Sequence, residues 1–366
     1  MAAKPRFDGE WVKLNQLCTK GRSALRQKDL TNDGPYAVYG ASGIVGSIPT
    51  FQNDIRYVAV VKDGAGVGRA SLCSANTSVL GTMQALIPVE EVSPEYLLHL
   101  IRAMRLGDGF SGSTIPHIYF KDYGQRLVRR VSMVDQGHIV DTLGSIERQM
   151  DIARGQLTKL DDFVKSRFAE MFGDAGWPVA TVGSLAVDVR YGTSKKASDC
   201  GEYVYLRMNN MTDDGRLDLD DVKRIDLNGP ELEKCRVVDG DLLFNRTNSR
   251  EKVGKTVVFH EREPMVIAGY IIRVRLGDRV RPDFLATYMN LPTTKAMLRS
   301  IAKGAVHQAN INSRELSAIE VPVPPMELQD RFLSFVAEAD KSRFIVQQQI
   351  EKLQMLYDSL AQEYFS

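Results

Sequence analysis

Five histidines and four cysteines are the side chains of this sequence best suited to nucleophilic or metal chemistry, and their spacing supports neither. His99, His117, His138, His260 and His307 stand apart from one another. Cys18, Cys73, Cys200 and Cys235 make no CxxC pair, and no histidine lies at ligand spacing from them. Free thiols in a reducing compartment are therefore expected, and no metal ligands. Two glycine-rich stretches imitate phosphate loops. Residues 62–69 (KDGAGVGR) carry glycines at 64, 66 and 68, whereas dinucleotide binding needs GxGxxG running into a helix. A β-turn presenting Lys62 and Arg69 is the better reading. Residues 249–256 (SREKVGKT) keep Gly254, Lys255 and Thr256, but Ser249 replaces the first glycine and the following VVF reads as strand. A phosphate loop needs a helix N-terminus there, to aim its amides at the anion. No Asn-Pro-Pro-aromatic segment of an adenine methyltransferase is present, nor an acidic-lysine arrangement of a nuclease. Catalysis by this chain alone is not expected, and no catalytic residue is assigned.

What remains is polar and suited to recognition. Asn245, Arg246, Thr247 and Asn248 open a positively charged stretch that continues to Lys252 and Lys255. Arginine and lysine pair with phosphates or guanine, and asparagine with adenine. Two further loops hold matching places in the two halves of the chain. Residues 107–117 (GDGFSGSTIPH) supply Ser113, Thr114 and His117; residues 304–312 (GAVHQANIN) supply His307, Gln308, Asn310 and Asn312. Residues 191–196, with Arg207 and Asn209 of the 207–210 stretch, complete the set. Solvated hairpin loops are the competing reading for all of these. Arg246, Asn248 and Gln308 are the expected readers in the second half, and Lys62, Arg69 and His117 in the first.

The elements that must position these loops are duplicated. Ile139, Leu143, Ile146, Met150, Ala153, Leu157, Leu160, Val164, Phe168 and Met171 form one apolar seam, in alternating steps of three and four. The same steps recur 193 residues on, from Phe332 (139 + 193) to Tyr364 (171 + 193), with Arg343 the one charged member. Both copies carry the same doubled four-residue step, a stutter that locally relaxes a supercoil. A Trp-opened segment precedes each helix, beginning at Trp11 and at Trp177. Within each, short Val- and Tyr-rich strands bounded by Gly and Asp lead to a Pro-initiated helix, a polar loop and a last strand. Val266 to Leu276 is read as one continuous strand.

The predicted architecture is α+β: two β-rich globular domains (1–134 and 174–325), joined by a pair of long antiparallel coiled-coil helices (135–173 and 326–366). At about 1.5 Å per residue, helices of about 36 residues would hold the two modules roughly 54 Å apart. A net charge of +1 gives no global attraction to a polyanion, so any nucleic-acid site must be local. The N-terminal residues lack the apolar core of a signal peptide, and no apolar run reaches membrane-spanning length. A cytoplasmic location is expected.

In its order of motifs the whole chain resembles the specificity (S) subunit of type I restriction–modification systems. The resemblance rests on DGAGVGRAS and GDLLFNRTNSREKVGK, on GSTIPHIYFKDY and KGAVHQANINSRELSAIEVPVPPMELQ, and on the paired long helices. The first half departs from the second where it ends in VRRVSMVDQ. The resemblance implies a non-catalytic subunit whose two target recognition domains read a bipartite site on double-stranded DNA. It implies two modification (methyltransferase) subunits as partners, methylating adenine with S-adenosylmethionine. Restriction subunits using ATP and Mg would join them, and no cofactor would be bound by this chain. A protein-assembly scaffold that does not touch DNA is the rival reading. A fused or solitary methyltransferase is a third, disfavoured by the missing catalytic motif.

Overall fold

A computed structural model describes residues 7–109, 116–173, 176–305 and 308–366. Ser113, Thr114 and His307 lie outside the described residues. The chain forms two compact units: residues up to Gly155 together with Val346–Ser366, and Gln156–Ile345. Each unit therefore contains part of both long helices, which run Met133–Phe172 and Met326–Phe365.

The first unit has a four-stranded antiparallel sheet in the order Cys18–Lys20, Met83–Pro88, Tyr57–Val61, Ala70–Cys73. Tyr57–Val61 is buried along its whole length, which explains why it reads as an unbroken apolar run. A second sheet sets Tyr36–Gly40 between Gly43–Ile48 and a parallel Ser78–Val79. Gly9–Lys13 pairs with Leu127–Val131, tying the start of the unit to the strand that enters the first long helix. Helix Pro94–Ala103 opens on a capped turn: the Ser93 hydroxyl accepts from Tyr96 N–H at 3.0 Å, and Pro94 has no N–H to satisfy.

The second unit repeats this plan. Its four-stranded sheet runs Ala186–Tyr191, Ile271–Leu276, Leu242–Asn245, Thr256–Val258. A second sheet contains Tyr203–Leu206 beside a parallel Met265–Ile267, and Val179–Thr181 pairs with Glu320–Pro322. Helix Pro282–Asn290 takes the place of Pro94–Ala103. Among the described residues helix Pro292–Ile301 is an addition; the second unit also has a small sheet of Thr247–Asn248, Gln308–Asn310 and Lys303–Ala305. The continuous strand expected from Val266 to Leu276 is not present. It breaks at Ala268–Tyr270, where Ile271 N–H turns back to Ala268 O (2.9 Å), and its two pieces join different sheets.

The helical seam faces inward in both units. Ile139, Leu143, Ile146 and Met150 are buried with Tyr357, Ala361 and Tyr364 in the first unit's core. Phe168, Phe172, Phe284 and Phe332 form an aromatic cluster in the second, with ring centroids 5.0–6.3 Å apart. There the contacts Asp161–Arg343, Phe163–Phe335 and Phe168–Phe332 step in opposite directions along the two helices, as antiparallel packing requires. Arg343, the charged member of the seam, is paired with Asp161 of the other helix and with Asp340. The duplication extends to single side chains. Gln136 is buried, accepts from Ser93 N–H at 2.9 Å and donates to Glu91 O and Val131 O. Gln329, 193 residues on, accepts from Arg281 N–H at 2.8 Å and donates to Arg279 O and Pro324 O. Each glutamine fastens a long helix to the N-terminus of the neighbouring short one.

All four cysteines are free thiols, and burial pushes the Cys18 thiol up to about 12. Among the described residues no helix is long and apolar enough to cross a membrane, and no cluster of His, Cys, Asp and Glu stands ready for a metal.

Candidate nucleic-acid interface

The candidate loops grow out of one backbone device, built twice. In the second unit the buried strand Leu242–Asn245 ends against Lys255. Asn245 N–H donates to Lys255 O, and Gly254 N–H donates back to Asn245 O, both at 2.8 Å. The hairpin between them must begin at Arg246, whose N–H donates to Tyr270 O and whose carbonyl accepts from Ile311 N–H, both at 2.9 Å. The first unit reproduces all four bonds. Val61 N–H donates to Arg69 O and Gly68 N–H to Val61 O (2.8 Å each); Lys62 N–H donates to Thr82 O, and Lys62 O accepts from Ile118 N–H (3.0 Å each). Lys62 and Arg246 thus hold the same place in the fold. Gly68 and Gly254 match as well, with φ of +85° and +84°. A Cβ on Gly68 would meet Gly107 N at 2.2 Å, so this turn is closed to other residues.

The next residue along locks the second loop to the first. Asp63 bridges His117 through the backbone, and its Oδ1 lies 2.7 Å from His117 Nδ1. Thr247 bridges Asn310 in the same way, its hydroxyl donating to Asn310 Oδ1 at 2.8 Å. Arg246, Thr247, Asn248, Gln308 and Asn310 are brought together in the second unit; Lys62, Arg69 and His117 gather in the first. Asn248 donates to Asn245 Oδ1 at 3.1 Å, while Gln308, Lys252 and Arg69 are exposed. Arg69 Nε is 3.3 Å from Gly66 O, a contact within its own turn.

Other candidates stand differently. Asn245 is fully buried, its amide donating to Thr247 O and Tyr270 O. Lys255 is buried too: its ammonium donates to Met211 O at 2.9 Å and pairs with Asp213 at the same distance. Both fasten the hairpin from beneath, because Asn245 ends one strand of the core sheet and Lys255 immediately precedes its neighbour Thr256–Val258. Arg207 is held by Asp221, through its carbonyl (2.8 Å) and its carboxylate (3.1 Å). Asn209 is exposed nearby, beside the end of strand Tyr203–Leu206 in the other sheet.

Three participants carry no mark in the sequence. Asp63 is the partner of His117, and Tyr270 is half-exposed while its carbonyl takes the Arg246 N–H. Lys295, on the added helix, donates to Gly254 O beneath the hairpin, and burial lowers its pKa to about 8 despite the nearby Asp213. Each acts through a contact across the fold, which residue type and spacing do not disclose. Tyr191 opens the 191–196 stretch. Its ring sits under the Arg246 guanidinium, 4.8 Å from ring centre to Cζ.

No protein-family model matches the chain. Curated proteins do match it. A Methanocaldococcus jannaschii protein that carries the provisional name of MjaX type I restriction enzyme specificity subunit is 25% identical over 215 residues, which cover 58% of this chain and 50% of that one. The EcoKI specificity subunit of Escherichia coli K12 is 23% identical over 183 residues (49% of this chain, 39% of that one). The StySPI specificity subunit of Salmonella potsdam is 22% identical over 303 residues, 76% of this chain and 65% of that one. Its relatives are type I restriction specificity subunits. The chain spans about half the length of the relatives it matches. Solved structures agree on the fold. The type I S subunit from M. genitalium superposes with a TM-score of 0.52 over 100% of this chain and 98% of that one, at 14% identity. A chain from a structure of a type I R-M system gives a TM-score of 0.55 at 16% identity, over 99% and 98% of the two chains. This mixed helix-and-sheet fold is that of the S-subunit structures.

Proposed function

We propose that this chain is the DNA-sequence specificity subunit of a type I restriction–modification complex. The observation that carries the proposal is the hairpin device built twice, in a chain whose sequence relatives all bear that description. Each β-rich domain, 1–134 and 174–325, is a target recognition domain presenting a cation, Lys62 or Arg246, and a cross-linked polar pair to a major groove. There the edges of all four base pairs are distinguishable. The Met133–Phe172 and Met326–Phe365 helices are the spacer that sets the gap between half-sites. The chain itself does no chemistry and binds no cofactor. Two modification subunits bring S-adenosylmethionine and methylate adenine, and restriction subunits with ATP and Mg cleave unmodified DNA. With a net charge of +1, much of the phosphate affinity must come from those partners. The complex works on double-stranded DNA in the cytoplasm.

Sequencing of methylated adenines in the host, with and without the gene, tests this reading. A split motif with a fixed gap should vanish on deletion. Methylation that persists unaltered would favour the protein-assembly scaffold instead.

A further inference from the structure

Lys62 and Arg246 share a backbone position, yet their surroundings differ in one respect. Arg246 lies on an aromatic platform. Its guanidinium carbon is 4.8 Å from the centre of the Tyr191 ring, and an Nη donates weakly to Gly269 O at 3.4 Å. Its Nε is buried, with no hydrogen-bond partner among the described residues. The platform is itself fixed, since Tyr191 OH donates to Ser313 Oγ at 2.9 Å and accepts from Ser313 N–H at 2.7 Å. Ser313 opens helix Ser313–Ser317, which the Asn312 side chain caps through Glu315 N–H at 2.9 Å. The ring is thereby anchored to the far end of the same loop that supplies Gln308 and Asn310. Among the described residues Lys62 has no such support, and its ammonium lies 3.8 Å from the Asp63 carboxylate.

From this contrast we infer that Tyr191 is a positioning residue for sequence readout: it holds the plane of Arg246 so that the guanidinium meets one base pair edge-on. The inference rests on the specificity-subunit reading above. A guanidinium is a planar fork that contacts guanine O6 and N7 only when correctly oriented, whereas an ammonium is a point charge indifferent to orientation. Stacking on an aromatic face fixes that plane at little entropic cost, because the ring moves about only two torsions. The ligand class assigned to this position is therefore a guanine edge in the major groove of the second unit's half-site. Among the described residues the first unit has no equivalent.

Methylated-adenine sequencing of cells carrying the complete system tests the assignment. The chromosomal gene would be wild type, Tyr191→Leu, Tyr191→Phe or Arg246→Ala. Tyr191→Leu should relax one base pair of one half-site by about tenfold, the lower range of a bidentate contact, and leave the other half-site intact. Tyr191→Phe keeps the ring and loses only its Ser313 hydrogen bonds, so it should retain most of the discrimination; Arg246→Ala should relax the same base pair as Tyr191→Leu. Unchanged specificity in Tyr191→Leu overturns the inference while leaving the wider reading in place, provided Arg246→Ala still relaxes a half-site. Equal losses in the leucine and phenylalanine variants also overturn it, since the hydrogen bonds to Ser313 would then be what matters. So does complete loss of methylation by Tyr191→Leu with a matching fall in melting temperature of the purified chain, which would make Tyr191 a core residue. If the wild-type gene directs no split motif, it is the specificity reading that fails.

Discussion

Arg246 sits where a strand leaves the core, with its backbone fixed on both sides and its half-buried side chain over the Tyr191 ring. Replacing it with alanine should relax or weaken one half-site and spare the other, read as a change in the methylated motif. Relaxation of both halves would contradict its placement. His99 faces inward instead, its Nδ1 2.8 Å from Tyr357 OH. Burial, reinforced by Arg102, lowers its pKa to about 4. The folded state then binds fewer protons than the unfolded state between about pH 6.5 and 4, so stability falls as pH drops through that window. The full effect is about 3 kcal/mol. His99→Gln, which does not titrate, should flatten the acid side of a melting temperature against pH profile; an unchanged slope would place the loss elsewhere. His260 acts in the opposite direction. Its hydrogen bonds to the Asp283 and Asp239 carboxylates raise its pKa to about 9, against some desolvation. Its stabilisation is present below pH 6.5 and is lost as pH rises through 9, a small effect because the ring is largely exposed.

At the scale of elements, the helical seam was the most legible feature of the sequence, because a narrow apolar stripe with a shared stutter suits a pair of packed helices and little else. The long helices are 40 residues each, Met133–Phe172 and Met326–Phe365. Strands with a buried apolar run, such as Tyr57–Val61, were legible as well. Short or exposed ones, Cys18–Lys20 and Gly43–Ile48, were not, and neither was the break at Ala268–Tyr270. Those are fixed by partners distant in sequence rather than by local pattern. The site divides along the same line. Residue type and repeat position pointed to Arg246, Asn310 and His117, while Asp63, Tyr270 and Lys295 enter only through contacts across the fold. Two predictions belong to elements. In the second unit Arg343 is largely buried between Asp161 and Asp340, so Asp161→Ala leaves it one carboxylate and should lower stability by about 1.5 kcal/mol, whereas Arg343→Leu should be neutral or stabilising. Equal losses in the two variants, measured by denaturant unfolding, would contradict this. The glutamine clamps make a matched pair: Gln329→Ala leaves Arg281 N–H and two carbonyls without their partner and should cost about 1–3 kcal/mol, as should Gln136→Ala in the first unit. A negligible change in either would show that water replaces the side chain.

For the molecule as a whole, the proposed account is that one polypeptide carries two readers and the spacer that sets their separation. Insertion of one heptad at matched positions in the exposed middle of both long helices keeps the seam in phase and lengthens each by about 10 Å, the rise of seven helical residues. At about 3.4 Å per base pair that corresponds to about three base pairs. Methylated-adenine sequencing of cells carrying this variant is the most direct test. The account predicts the same two half-sites separated by a gap about three base pairs longer. An unchanged gap, or an altered half-site, would contradict it.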